Sequence, residues 1–553
     1  MATPTSIPNA TDAVENPITT RYRVMVLSLL LCVVSLGLWG VISFLPESVN
    51  STDWILGENG NQLFRADQLA AGKSLYGDVD CQYGPLPIWL WYGFTLMAGN
   101  TIGANVLFQN LLTLMLVAGL FCWLSQHAKS KRHLFVLALA LGLLTFARTP
   151  YLYLLASPSA NFEYLTFERL CLLGLMLLWR PPTQRSNKLG VGLVLLFLVW
   201  QCVKVGGAFM GLGAYAAMDA IWLLTRQRRD LFQTWLGWWL KVSIGILIME
   251  ALRCASFVIC FESDQGWRSA WPLYVAGEYQ RTWLTLWANP RHFITVVLPI
   301  LALLLPLPWL IHRTLKERTQ PERPLKENTI LYQAAVGTLF YLIGAVPIVG
   351  YFGHEWHFFQ YQWVLLPLAL VCLRYRLCLG LVLLLLVHLG PLNRTLSELR
   401  RATPPDQLER LDTQIGPIIA PKDDARLAVI KTALAATRAD AGYRSLIVGT
   451  WGGGGWYVAA QELHRPQNIF FSNAIIRRPA DNAEFNSLLA AADFILLGLK
   501  SEASDPFPGL GWFAKTAGQE NSQILEEQFE PLQDKKVPNN SGWVILKRKP
   551  QDE

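Results

Sequence analysis

Charge is what this chain has least of. Asp, Glu, Lys and Arg make up 16% of its 553 residues, against 52% hydrophobic residues, whereas a soluble globular domain carries about 25% charged residues. The apolar residues also come in long blocks, which excludes an ordinary water-exposed fold for most of the length. The basic excess of +7 is dispersed in short clusters between those blocks. It forms no basic, aromatic-interleaved face, so a nucleic-acid partner is excluded and membrane orientation is the better use of the charge. Nine cysteines are present, but eight fall inside hydrophobic segments and only Cys81 sits in a loop, so no disulfide framework can be drawn. Internal repeats and a matched pair of broken helices are missing too, which counts against a transporter built from inverted repeats.

What is present is a series of apolar runs. They lie near 24–45, 104–126, 134–149, 165–179, 189–203, 206–225, 235–260, 293–311, 329–350, 361–373 and 377–391, and each is read as a candidate membrane span. The first run, VMVLSLLLCVVSLGLWGVISFL, follows Arg21 and Arg23 and exceeds a signal-peptide core, so an uncleaved anchor with a cytoplasmic N-terminus is expected. Alternate connections then hold the Lys and Arg clusters, from Lys129, Lys131 and Arg132 through to Arg374 and Arg376, as cytoplasmic loops do. The opposite loops are rich in Trp, Tyr, Asn, Gly and acids and face out. The largest runs from 46 to 103, and within it PLPIWLWYGFTLMAG is too short to span, which predicts an interfacial or re-entrant helix.

An odd number of spans places residues 394–553 on the outer face. After a polar lead-in, NRTLSELRRATPPDQLERLD, the segment alternates: ARLAVIKTALAATRAD and NAEFNSLLAAAD read as helices, and SLIVGT, NIFFSN, FILLGL and GWVILKRK as strands. The expected fold is therefore a polytopic α-helical membrane protein of about eleven spans, residues 1–393, with a small soluble α/β domain over 394–553. The turn GTWGGGGWY suits an anion-binding nest, but it lacks the Lys-Ser/Thr of a P-loop, and a structural glycine turn is favoured.

Candidate chemistry concentrates in the outer loops. The first holds Asp53, Glu58, Asp67, Asp78 and Asp80 beside the membrane surface, where a carboxylate acting as general base contributes a rate factor of roughly 10² to 10⁴. Lys204 sits near the outer end of the fifth run and has two readings: a lysine snorkelling to the interface, or a cation holding a phosphate, with Gly206 and Gly207 allowing close approach. In GYFGHEWHFFQYQW, His354 and His357 lack a third metal ligand, so polar contacts to a lipid phosphate or sugar are favoured over a metal. Arg148 belongs to the outer group that runs through Asn161, Glu163 and Tyr164, and Arg268 and Arg281 flank WPLYVAGEY. Glu250 and Arg253, three apart in the seventh run, read as a helix-face ion pair.

These stretches resemble the GT-C superfamily of polytopic glycosyltransferases, in particular the bacterial branch related to protein O-mannosyltransferases and the aminoarabinose transferase of lipid A. The resemblance lies in ENGNQLFRADQLAAGKSLYGDVDCQYGPLPIWLWY, from Glu58 through Gly72-Lys73, Tyr76-Gly77-Asp78 and Tyr83-Gly84-Pro85-Leu86; in VKVGG around Lys204; in HFFQYQWVLLPLAL; and in WGGGGWYVAAQELHRP. It implies an integral membrane enzyme that moves a sugar from a polyprenyl-phosphate donor to a glycan, lipid or protein acceptor on the outer face, with inversion. Glu58 matches the catalytic acid position as base and Asp78 the second acidic position. Lys204, with His354 or His357, would stabilise the leaving phosphate, and Tyr83 and Arg148 complete the expected substrate-binding set. The chain departs from the pattern at Asn59, after a single Glu58, and at Val205, where Gln is common; Asp53 and Asp78 are therefore rival bases. No cofactor is indicated, and a divalent cation is left open. The implied place is the plasma (inner) membrane, multi-pass, with the C-terminal domain periplasmic. The rival readings are a flippase or transporter of lipid-linked saccharides, a surface-polysaccharide polymerase or ligase, and a non-catalytic envelope assembly protein.

Overall fold

The computed structural model describes residues 18–44, 58–75, 84–128, 130–146, 165–226, 231–261, 326–345, 362–364, 366–369, 380, 403–413, 415–424, 427–428, 431, 445–449, 467–470, 489–498, 519–532 and 543–550. Among the described residues ten α-helices come first: α1 (Thr20–Phe44), α2 (Glu58–Ala70), α3 (Pro85–Ala98), α4 (Ile102–Ser125), α5 (Lys131–Phe146), α6 (Leu165–Leu178), α7 (Asn187–Gln201), α8 (Val205–Arg226), α9 (Phe232–Phe261) and α10 (Lys326–Phe340). The first seven expected spans coincide with α1 and α4 to α9. Among the described residues four helices, α1, α4, α8 and α9, are long and apolar enough to cross a membrane; α5, α6 and α7 are helical over 16, 14 and 15 residues. The eighth run and nearly all of the last lie outside the described residues.

Apart from the amphipathic α2, the helices are largely apolar, as helices of a membrane-embedded bundle are. On α9, Leu236, Leu240, Ile244, Leu247, Leu252 and Ile259 are exposed along one side, while Trp238, Val242, Ile246 and Phe257 are buried on the other. Helix α4 is the inner strut. It buries Leu112, Leu116, Leu120, Phe121 and Leu124, and it also carries a buried polar row, Asn105, Gln109 and Thr113, at one residue per turn. Asn105 Nδ2 and Gln109 Nε2 donate to Gln62 Oε1 on α2 at 2.7 and 3.4 Å.

Local sequence sets the helix ends. Thr101 and Ser186 accept from Ala104 N and Leu189 N and so cap α4 and α7. Pro85 opens α3, where its missing N–H costs nothing. Helix α2 stops at Gly72, whose φ of +81° is left-handed, and Lys73 N donates back to Gln68 O at 3.0 Å. This glycine C-cap gives a physical reason for the Gly72-Lys73 pair in the sequence.

Among the described residues beyond the helices there are two sheets. A hairpin pairs β1 (Leu408–Thr413) with β2 (Gly416–Pro421). A five-stranded mixed sheet has the order β4-β3-β5-β7-β6, from β3 (Ser445–Gly449), β4 (Gln467–Phe470), β5 (Phe494–Gly498), β6 (Phe529–Pro531) and β7 (Trp543–Arg548). Strands β4, β3 and β5 are parallel, and β7 joins antiparallel. Four of these strands are the four expected ones. The lead-in ending in LERLD differs from expectation, since its last residues form β1, and α11 (Gln519–Gln528) with β6 was not anticipated.

Candidate functional site

The site is built on the turn between α7 and α8, residues Gln201 to Lys204. Lys204 N and Val203 N both donate to Trp200 O, at 2.7 and 3.0 Å, which closes the end of α7. The carbonyls of Cys202 and Val203 are left pointing away from their own helix, and helix ends of this kind need outside donors. The first loop supplies them: Gly84 N donates to Val203 O at 3.0 Å and Leu86 N to Cys202 O at 2.9 Å. A Cβ on Gly84 would fall on the Cys202 carbonyl, so only glycine permits the docking. The Gly84-Pro85-Leu86 and Lys204 stretches, far apart in sequence, thus meet backbone to backbone.

Lys204 Nζ lies 3.6 Å from Glu168 Oε2, on the first turn of α6. The Glu168 side chain is fully buried, while that of Lys204 keeps 22% of its surface exposed. The early position in α6 also suits a carboxylate, because the helix dipole is positive there. Gly207 is where the carboxylate rests: a Cβ there would overlap Glu168 Oε1 and come within 2.8 Å of Trp200 Nε1. The close approach expected at Gly206 and Gly207 is therefore made at Gly207 by this chain's own glutamate.

A second charged group flanks the turn. Gln201 Nε2 donates to Glu250 Oε2 at 2.5 Å, and Arg253 holds the same carboxylate through Nε at 3.0 Å and Nη2 at 2.7 Å. The expected Glu250–Arg253 pair is thus present and is extended by Gln201. Glu168, Arg169 and Asp219 are buried as well. Asp219 is paired with Arg185, Glu250 with Arg253, and Glu168 faces Lys204; on insertion scales one unmatched charge costs about 2.5 to 3.5 kcal/mol at a helix centre.

The acidic side of the expected site is held by α2. Glu58 is the first residue of α2, one turn before Gln62. Gln62 is buried and fixes the helix: besides its bonds to Asn105 and Gln109, its carbonyl accepts from Trp91 Nε1 of α3 at 3.1 Å. Leu63 O accepts from Asn100 Nδ2 at 2.7 Å. Helix α3 buries Pro87, Ile88 and Trp91 and exposes Trp89, Leu90, Leu96 and Met97. Asp78, Tyr83, Arg148, His354 and His357 lie outside the described residues, as do Asp53, Asp80 and nearly all of the glycine-rich turn. Glu168, which sequence reasoning missed, sits beside Arg169 inside an apolar run. That pair of charges was the available signal, since a charge in a span must find a match.

No family model matches the chain, and no curated protein matches it. Among solved structures it is similar to the archaeal oligosaccharyltransferase AglB from Archaeoglobus fulgidus in complex with an inhibitory peptide and a dolichol-phosphate, at 10% identity and a TM-score of 0.42, over 87% of this chain and 69% of that one. It is also similar to ArnT from Cupriavidus metallidurans bound to undecaprenyl phosphate, at 11% identity and a TM-score of 0.46, over 97% of this chain and 100% of that one. At these values the likeness is one of outline.

Proposed function

We propose that this chain is an integral membrane glycosyltransferase that moves a sugar from a polyprenyl-phosphate donor to an acceptor hydroxyl, with inversion at the anomeric carbon, on the outer face of the plasma membrane. The observation that carries the reading is the docking of Gly84 and Leu86 on the Cys202–Val203 carbonyls. Two of the short stretches that resemble the GT-C pattern, separated by more than a hundred residues, are hydrogen-bonded together, and the second presents a lysine. In the proposed reaction Glu58 takes the acceptor proton. The acceptor oxygen then bonds to the anomeric carbon as the bond from that carbon to the phosphate oxygen breaks, and polyprenyl phosphate leaves with the electron pair. Lys204 stabilises the negative charge that grows on the phosphate, the step at which a fixed cation helps most. Asp78 orients the sugar or acceptor, and Tyr83, Arg148, His354 and His357 complete the substrate contacts. Residues 394–553 form the outer-face domain in this scheme.

The test is release of polyprenyl phosphate by purified protein in lipid, given a panel of polyprenyl-phosphate sugars and a membrane extract as acceptor source. Glu58→Gln is expected to lower turnover by roughly 10² to 10⁴, the contribution of a general base. Undiminished release in Glu58→Gln moves the base to Asp53 or Asp78. No release from folded wild-type protein with any donor overturns the reading in favour of a flippase or assembly protein.

A further inference from the structure

We infer, resting on the reading of Lys204 as the cation for the donor phosphate, that Glu168 is a positioning residue whose buried carboxylate keeps the Lys204 ammonium charged and aimed from the α7–α8 turn. Three observations converge on it. Glu168 is fully buried, and Lys204, its partner at 3.6 Å, is only partly so. Gly207 is shaped to the carboxylate, because any Cβ there would displace it. The turn itself is pinned, through Gly84 and Leu86 on one side and through Gln201 to Glu250 on the other.

The physical logic is compensation. A lysine buried near the membrane without a counter-charge sheds its proton or swings to the interface. A carboxylate that is itself buried and wedged against glycine prevents both, at a separation loose enough for a phosphate to compete for the same ammonium. Arg169 is buried as well, but a guanidinium has the same sign as the Lys204 ammonium and cannot take the place of the Glu168 carboxylate.

The first test needs no substrate. Full-length protein in nanodiscs is acetylated with a water-soluble succinimidyl acetate, and each lysine is followed by peptide mass spectrometry. Only the neutral amine reacts, so Glu168→Gln is expected to speed labelling of Lys204 about tenfold, the effect of one unit in its protonation equilibrium, with Lys131, Lys188 and Lys241 as internal standards. Gly207→Ala keeps both charges while its Cβ displaces the Glu168 carboxylate and crowds Trp200 Nε1, so, compared at equal amounts of folded protein, it is expected to speed labelling in the same direction. Unchanged labelling of Lys204 in both variants overturns the inference.

The second test measures binding of polyprenyl phosphate in the same nanodiscs. Glu168→Gln and Lys204→Gln are each expected to weaken it about tenfold, with the double variant no weaker than either single, as for residues acting as one unit. Equal or tighter binding by Glu168→Gln overturns the positioning role, since the carboxylate would then merely repel the phosphate. Absence of binding by the wild type sinks the transferase reading, and the labelling still decides whether Glu168 governs Lys204.

Discussion

Asp219 of α8 accepts hydrogen bonds from four side chains at once. Arg185 grips it through both terminal nitrogens, and Trp179, Trp235 and Trp239 donate their indole N–H groups at 3.1, 3.1 and 2.8 Å. The guanidinium in turn lies over Trp238, 4.4 Å from the ring centroid. A buried charge with one partner removed costs about 3 to 5 kcal/mol, so Asp219→Asn is expected to lower the unfolding midpoint well below that of the wild type, read by tryptophan emission in detergent. It stands 15 residues from Lys204, about 22 Å along a helix, so the loss should be one of stability, with donor binding by the surviving folded protein unchanged. At this scale the sequence was partly legible. Lys204 stood out because it interrupts an apolar run, and Glu250 and Arg253 because they are three apart. Glu168 was harder to see, since its partner lies 36 residues away and no local spacing joins them.

The short surface helix α3 and the α7–α8 turn are joined by two backbone hydrogen bonds that exist only because residue 84 has no side chain. Gly84→Ala is therefore expected to prise α3 from the turn and abolish most donor turnover. Gly93→Ala on the same helix meets nothing within 4 Å and is expected to retain turnover with helix stability improved by about 0.5 to 1 kcal/mol. Comparing the two at equal amounts of folded protein separates docking from helix propensity. Helices were the most legible elements, because their long apolar runs mark them directly. Strand β1 was not, because LERLDT carries charge along its length and none of its residues is fully buried. Its pairing is dictated by β2, where Ile418 and Ala420 are buried on one face.

At the scale of the molecule, the β1–β2 hairpin ties the chain that follows the helices back to their beginning. Ile415 at its tip is buried, its carbonyl accepts from Ile102 N at 2.9 Å, and Gly416 beside it has a φ of +119°. Ile415→Ala removes about 2 to 5 kcal/mol of burial at that contact. Hydrogen exchange is expected to accelerate across 408–421 and at the Ile102 amide, with the core of α4 unaffected. No periodicity in the sequence could announce this contact, since more than 300 residues separate its two sides. The meeting of Gly84 with Cys202 has a comparable separation problem, and it bears on the timing of synthesis. When Gly84 is added to the growing chain, its acceptors are still some 120 residues from being made, an interval of about 6 to 24 seconds at 5–20 residues per second. Throughout that interval α3 has no turn to dock on, so the lysine and the loop opposite it come together late, after α7 has been threaded into place. Newly made protein truncated before residue 202 should therefore carry α3 unlatched.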